Sequence, residues 1–266
     1  MNCTLYIVLS LLFTCLVTSS GQEVEAGTTR VASQLAVGHL NLLDTYLSNE
    51  KYRGTDIRFV SEVVRDSGRH PMTYMLTHEG AMSALHTRSE NLKALAGHYD
   101  FAYSMMRRWQ FATHYAPVVV RVGGFGETFL GFCYKTTGNA NNPAQGYAAV
   151  NVGPHVMAET VLPILGRKVR VTWQARIPLF GLTFSPNYGQ SYYEMFNEGN
   201  YDRNVVFTSI ATFQMRQQIS FDIPVWRHAS LRIGYLGDIR QQTPNNLRQH
   251  QWYNAVLLGV TITKRE

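Results

Sequence analysis

The sequence predicts an all-β fold, an antiparallel transmembrane β-barrel of about 12 strands within a range of about 10–14. Three observations lead there. The first is alternation at period two, clearest from Ala229 to Lys264. Leu231, Ile233, Tyr235 and Ile239 share one face there, and Arg232, Asp238 and Arg240 share the other, with Leu236 out of step. After Thr243-Pro244-Asn245-Asn246, Val256, Leu258, Val260 and Ile262 oppose Ala255, Gly259, Thr261 and Thr263, with Leu257 out of step. Period two is strand periodicity, and the residues between the runs set or tolerate turn dihedrals. Each run has roughly 10 residues or more, the length a tilted strand needs to cross a bilayer.

The second observation is composition. Charged residues are 16% of the chain and aromatics 12%, with 15 Tyr. Soluble domains carry about 25% charge. Low charge with abundant aromatics suits a wall that faces lipid between aromatic girdles. The third is the N-terminus. Met1 to Ser20 reads as a signal peptide, with an apolar run from Leu5 to Val17 and small residues at Thr18-Ser19-Ser20-Gly21. An uncleaved anchor is the alternative, and Leu12-Phe13-Thr14-Cys15 faintly resembles a lipoprotein box with a bulky Thr14. No later segment reaches about 18 consecutive apolar residues, so a membrane-spanning chain must cross with strands.

This divides the chain into a signal peptide (1–20), a flexible lead-in (21–32) and a single barrel domain (33–266). Ser33 to Leu47 alternates, with Leu35, Val37 and Leu43 opposite Leu40 and Leu42. Thr55 to Asp66 sets Ile57, Phe59 and Val63 against Arg58, Glu62 and Asp66. Ser67-Gly68-Arg69-His70-Pro71 is a turn, and the next strand runs from Met72 to about Thr87. Ser89 to Gly97 is a loop that tolerates helix. His98 to Arg108 is a strand with Tyr99, Phe101, Tyr103 and Met105 on one face, and Trp109 to Tyr115 follows after a weak break. Val118 to Lys135 contains Gly123-Gly124-Phe125-Gly126, read as either a hairpin turn or a bend within one strand. Thr137 to Gln145 is a loop. Tyr147 to Ala158 and Gly166 to Ile177 are strands, the latter with Val169, Val171, Trp173 and Ala175 opposing Lys168, Arg170, Thr172, Gln174 and Arg176. Pro178 to Tyr201 is irregular, and Arg203 to Gln214 and Arg216 to Val225 are strands.

Charge and cysteine narrow the function classes. The formal charge is +6, from 24 basic residues, 19 of them Arg. The basic residues are scattered along strands of an exported chain, so nucleic acid is not expected as a partner. The leading reading pairs Arg with acids inside a polar lumen. The other sends Arg to outer-membrane lipid, to the phosphates of lipopolysaccharide. After signal cleavage only Cys133 remains, which excludes an internal disulfide.

The best site candidate is the loop carrying Tyr188, Gln190, Ser191, Tyr192, Tyr193 and Glu194, which would line the lumen or cap the barrel mouth. The alternative is a folded-in loop that stabilises the barrel by hydrogen bonds. A lipid hydrolase would need Ser191, His155 or His250, and Glu194 in contact. No Gly-x-Ser-x-Gly elbow supports that trio. His70, His78 and His86 are spaced too widely on a strand for one metal, and Gly123 to Gly126 lacks the Lys and helix of a phosphate loop. No catalytic residue, metal or cofactor is therefore expected. Tyr99, Phe101, Tyr103, Trp109, Tyr115, Trp226, Trp252 and Tyr253 could form a stacking surface for ligands, and read first as girdle anchors at the two interfaces.

Pro178-Leu179-Phe180-Gly181-Leu182-Thr183-Phe184-Ser185-Pro186-Asn187-Tyr188-Gly189-Gln190-Ser191-Tyr192-Tyr193-Glu194-Met195-Phe196 resembles a family of small exported proteins of unknown function from Bacteroides-type bacteria, thought to be outer-membrane barrels. Asn139 to Gln145, Asp222-Ile223-Pro224, Leu231 to Tyr235, Asp44 to Ser48 and Tyr52 to Thr55 are similar to its patterns too. The likeness spans about residues 40 to 263 and implies location in the cell outer membrane. It supplies no activity. Many barrels end on an aromatic residue, whereas Thr263-Lys264-Arg265-Glu266 does not. The reading reached is an outer-membrane barrel without catalysis, structural or forming a narrow pore or small-ligand site. Its alternatives are a lipid hydrolase with Ser191 as nucleophile and a soluble calyx-like binding protein.

Overall fold

The computed structural model describes residues 27–113, 116–137, 143–164, 166–209 and 213–265; the expected signal peptide lies outside them. The strands are β1 (Thr28–Asp44), β2 (Ser48–Asp66), β3 (Met72–Thr87), β4 (Lys93–Phe111), β5 (Val118–Lys135), β6 (Ala144–Ile164), β7 (Arg167–Arg176), β8 (Phe180–Phe184), β9 (Val205–Ser209), β10 (Met215–Pro224), β11 (Ala229–Gln242) and β12 (Gln249–Arg265). A five-residue helix α1 (Tyr192–Phe196) lies between β8 and β9. Among the described residues no helix is long and apolar enough to cross a membrane.

Every neighbouring pair is antiparallel, and β1 pairs with both β2 and β12, which closes the sheet. Ten strands make the closed circuit. β8 and β9 prolong it, because β8 pairs with the same edge of β6 that β7 uses further along. Between those two ladders, Gly153 and Pro154 of β6 face Ile177, Pro178 and Leu179, one residue more. That is a β-bulge, held by Ile177 N–H to Pro154 O and Leu179 N–H to Val152 O. Pro178 has no N–H to lose there. Gly153 is required at this point, because a Cβ would lie 2.0 Å from the Ile177 carbonyl oxygen. The bulge therefore divides one long strand, and Phe180–Phe184 is regular strand within the stretch read from sequence as irregular.

Of the two readings of Gly123 to Gly126, the structure gives the single strand and not the hairpin turn. All four residues sit inside β5, paired without interruption to β4 and β6. With that settled, an even number of strands in the circuit brings Thr28 and Arg265 to one end, paired with each other. Four connections are at that end, after β2, β4, β6 and β10. The connection carrying α1 is at the opposite end, the loop end. Further boundaries shift: β1 begins at Thr28, inside the stretch read as lead-in, β4 begins at Lys93, inside the stretch read as a helix-tolerant loop, and runs unbroken past Trp109 to Phe111, and β6 begins at Ala144, inside the stretch read as a loop.

The wall is apolar outside and polar inside. Outward residues Leu35, Ile57, Phe59, Leu130, Val150, Val256, Leu258 and Ile262 are exposed, whereas Arg30, Asp56, Arg58, Glu62, Asp66 and Glu79 are buried inside. On β2 the outward charges Arg53 and Arg65 bracket the apolar stretch; twelve residues at about 3.3 Å each, tilted about 40°, span roughly 30 Å. Lys93 and Arg107 bracket β4 similarly, and Trp252 and Lys264 bracket β12. A lipid-facing band is about 25 Å tall. Two outward polar groups within the band are satisfied by tyrosines: His78 Nδ1 lies 2.5 Å from Tyr99 Oη, and Asn254 accepts from Tyr235 Oη. The two residues out of step in the closing hairpin, Leu236 and Leu257, are fully buried and belong with Leu40, Leu42, Tyr52 and Tyr253 to an apolar cluster inside the barrel. In β7 the inward residues are Thr172, Gln174 and Arg176, as the alternation predicts, with Val171 and Trp173 outward and half-buried.

Candidate functional site: a capped and filled lumen

The charged interior follows from strand pleat. Asp56, Arg58, Glu62 and Asp66 are separated by even numbers of residues on β2, so all point inward. Ladder register then brings acids and bases of other strands to the same height. Near the chain-end rim, Arg121 bonds Asp66 at 2.9 Å, and Glu159 accepts from Arg30 at 2.6 Å and from Arg121 at 3.3 Å. Above them Arg232 reaches Glu62 at 2.9 Å and Asp222 at 2.6 Å, while Gln174 donates to Glu62 at 2.7 Å. The next layer centres on Arg58. Its Nε donates to Asp56 at 2.8 Å and its Nη1 to Glu79 at 2.9 Å and Asp238 at 3.0 Å, with its carbon 3.4 Å above the Tyr253 ring. Arg216 approaches Glu79 at 2.5 Å as an ion pair whose N–H groups are not aligned for hydrogen bonding. Arg240 joins Asp100, Glu127 and Asp238.

Little room remains between these layers. One space of about 10 Å³ lies among Glu62, Thr77, Gln174, Arg176, Arg216 and Gln218. A second of about 20 Å³ lies beside Arg30 and Arg232, and a third of about 40 Å³ lies beneath Tyr147 and Gln242. About 10–15 Å³ holds one water. Towards the loop end the charges give way to the apolar cluster around Leu42, Leu85, Phe129, Cys133 and Tyr147. Cys133 is a free, buried thiol within it.

The stretch Ser185–Asn204 closes this end. Ser191 and Glu194 form a capping box, the Ser191 hydroxyl accepting from Glu194 N–H and the Glu194 carboxylate from Ser191 N–H. Gln190 is buried and knots the loop. Its Oε1 accepts from Asn187 N–H at 2.9 Å and Asn204 Nδ2 at 2.7 Å, and its Nε2 donates to the Asn200 carbonyl at 2.8 Å. Tyr46 donates to the Gln190 carbonyl at 2.9 Å, tying the cap to the β1–β2 turn. Tyr192 accepts from Gly146 N–H at 2.7 Å and donates to Gln145 at 3.0 Å, tying it to β6. Asn245, held at φ 49°, donates to the Ser185, Pro186 and Arg203 carbonyls from the β11–β12 turn; asparagine tolerates that left-handed backbone. Burial raises both phenols: Tyr46 goes to about 12, helped by Tyr192, Asp44 and Glu194, and Tyr192 also rises.

Of the six residues singled out from sequence, Gln190, Ser191, Tyr192 and Glu194 are therefore spent on folding and docking the loop. Tyr188 and Tyr193 are exposed at its surface. The hydrolase trio is not assembled. Ser191 bonds only within its capping box, His155 bonds Ser104 inside the barrel at 2.8 Å, and His250 bonds Asn41 on the outer wall at 3.2 Å. The Ser191 oxygen instead caps α1, accepting from Glu194 N–H at 3.2 Å. The calyx reading expects the outward faces of Val169 to Ala175 and of Val256 to Ile262 to pack against other protein; Val256, Leu258, Val260 and Ile262 are exposed, whereas Val169 and Ala175 are buried. Sequence reasoning placed Arg58, Glu62 and Asp66 on one face; it did not find their partners Glu79, Arg216 and Asp238, which only ladder register brings near.

Comparison with solved structures gives barrels of the outer membrane. The transport unit of the autotransporter AIDA-I from Escherichia coli matches with 8% identity and a TM-score of 0.47, covering 100% of this chain and 98% of that one. The outer membrane protease OmpT from Escherichia coli matches with 6% identity and a TM-score of 0.48, over 92% and 99%. The translocator domain of the autotransporter NalP from Neisseria meningitidis matches with 8% identity and a TM-score of 0.42, over 97% and 94%. These likenesses concern form alone, and the barrel assignment rests on the strand ladders. No curated protein matches the sequence. The model of one family, described as "Protein of unknown function (DUF3316)", matches residues 4–264, nearly the whole of the sequence, and the chain belongs to that family.

Proposed function

We propose that the protein is a non-catalytic barrel of the cell outer membrane that does not conduct, a closed body whose loop end carries a docked cap. The filling of the lumen carries this reading. Arg58, Arg216 and Arg240 with their acids cross the interior at mid-height, and among the described residues the spaces between these layers, about 10 to 40 Å³, have room for a few water molecules. A pore needs a continuous polar path, and inward side chains can fill the interior of a small barrel. The outer wall supports the membrane part of the reading, with an apolar band of bilayer height between charged margins. The narrow-pore version has less support, because apolar Leu42, Phe129 and Tyr147 lie between the charged layers and the cap.

The test is incorporation into a planar bilayer with current recording. Purified, folded protein is expected to insert and to give no conductance steps above the bare membrane. Regular steps at moderate voltage would overturn the closed reading. Failure of folded protein to enter lipid at all would overturn the membrane reading.

A further inference from the structure

On the outer wall near the loop end lies a concavity of about 500 Å³, lined by Leu43, Lys51, Arg248, Gln249, His250 and Trp252, with Phe213 and Gln241 on its far side. We propose that it is a binding site for the phosphorylated headgroup of a glycolipid in the leaflet surrounding the loop end. The proposal rests on the membrane reading above. It adds a specific ligand class and place.

Charge is the first argument. No carboxylate lines the concavity, and among the described residues Lys51 and Arg248 form no salt bridge. Lys51 touches only the Trp252 ring, 5.8 Å from its centre, and His250 stacks on the same ring at 4.6 Å. The positive field extends sideways. Strand register puts Trp252, Asn41, Arg53, His86 and Lys93 in one outward row across β12, β1, β2, β3 and β4. Arg53, Lys93 and Trp252 each bound the apolar stretch of their own strand on the loop side, the margin at which lipid phosphates sit. Anionic groups there gain from Lys and Arg in proportion to their closeness.

Charge alone does not single out this place, since Arg167 and Lys168 stand at the other rim. The concavity and its chemistry do. A volume of about 500 Å³ falls within the usual ligand range of roughly 300–1,000 Å³. The Gln241 amide, on the outward face of β11, lines it beside the cations, and its Nε2 donates to the Phe213 carbonyl at 3.1 Å. Leu43, Phe213 and Trp252 offer apolar surface to the first carbons of acyl chains, which then follow Val256 and Leu258 down the wall. Amides beside cations and an aromatic face match a sugar phosphate better than a bare glycerol phosphate.

The experiment places the folded protein in detergent micelles and adds a bisphosphorylated glucosamine-disaccharide lipid, measuring retention by native mass spectrometry. The arms are the same lipid without phosphates and phosphatidylglycerol. The expected result is retention of the phosphorylated glycolipid at least 10-fold above both arms, with a loss of that preference in a Lys51→Gln/Arg248→Gln variant. Equal retention of phosphatidylglycerol, equal retention of the dephosphorylated lipid, or an unchanged variant would each overturn the proposal. Heat-shifted electrophoretic mobility and circular dichroism verify that the variant is folded. If lipid binding fails while the protein still inserts into bilayers, the membrane reading stands and only this site falls.

Discussion

Arg58 is the residue on which the interior depends most. It is fully buried and serves three carboxylates while lying against Tyr253. Removing one member of a buried ionic group leaves the others uncompensated, at a cost of about 3–5 kcal/mol. Arg58→Ala is expected to lose that much, read as an earlier urea midpoint for unfolding from lipid vesicles. A midpoint within error of the parent would mean the layer is hydrated. Ser191→Ala removes a cap, worth about 1 kcal/mol, and is expected to loosen the loop without shifting the barrel's unfolding. Cys133, buried beneath the apolar cluster, is expected to resist maleimide in the folded protein and to react once it unfolds. Rapid labelling of native protein would show an open lumen.

At the scale of elements, the cap is held from three sides through Tyr46, Tyr192 and Asn245. The two phenols give it a pH limit. Tyr46 has an ordinary value of 10.0 and rises to about 12 in the docked state. The docked state therefore keeps its proton where the released loop gives it up. Stability from this group is fully present below about pH 10 and is lost as pH rises towards about 12. Limited proteolysis of the loop is expected to accelerate across that window and to be flat from pH 7 to 9. The Tyr46→Phe variant, which lacks the ionisable group and the bond to Gln190, is expected to be cleaved faster at pH 7 and to show a smaller pH response. How legible the elements were from sequence depended on their length. Strands of 10 residues or more announced themselves by alternation, whereas the five residues of β8 did not, and β9 is only the five-residue core of the longer strand read over Arg203 to Gln214. Gly123 to Gly126 looked like a turn because glycine permits one. Two flanking strands hold it extended, and a Cβ on Gly123 would lie 1.9 Å from the Met105 carbonyl oxygen.

For the whole molecule, the charged layers and the apolar cluster beneath the cap are separate barriers. A deletion of residues 187–202 is expected to leave a folded barrel that still carries no current. Its conductance should rise only when the deletion is combined with Arg58→Ala, Arg240→Ala and Phe129→Ala, which open both the charged layers and the apolar cluster, measured in the same bilayer. A large current from the deletion alone would make the cap the plug and the charged layers a lined channel.

The sequence by itself determined the class of fold and which face of each long strand meets lipid. Both are set by local chemistry, since alternate side chains point to opposite sides whatever the strand's neighbours are. It also determined that Arg58 of β2 and Arg232 and Arg240 of β11 share a face with carboxylates. Only the tertiary structure decided which arginine meets which acid, that the circuit has ten strands, and that Ser191 is a helix cap. Those depend on register and closure, where residues more than a hundred positions apart, such as Arg58 and Asp238, come within 3.0 Å.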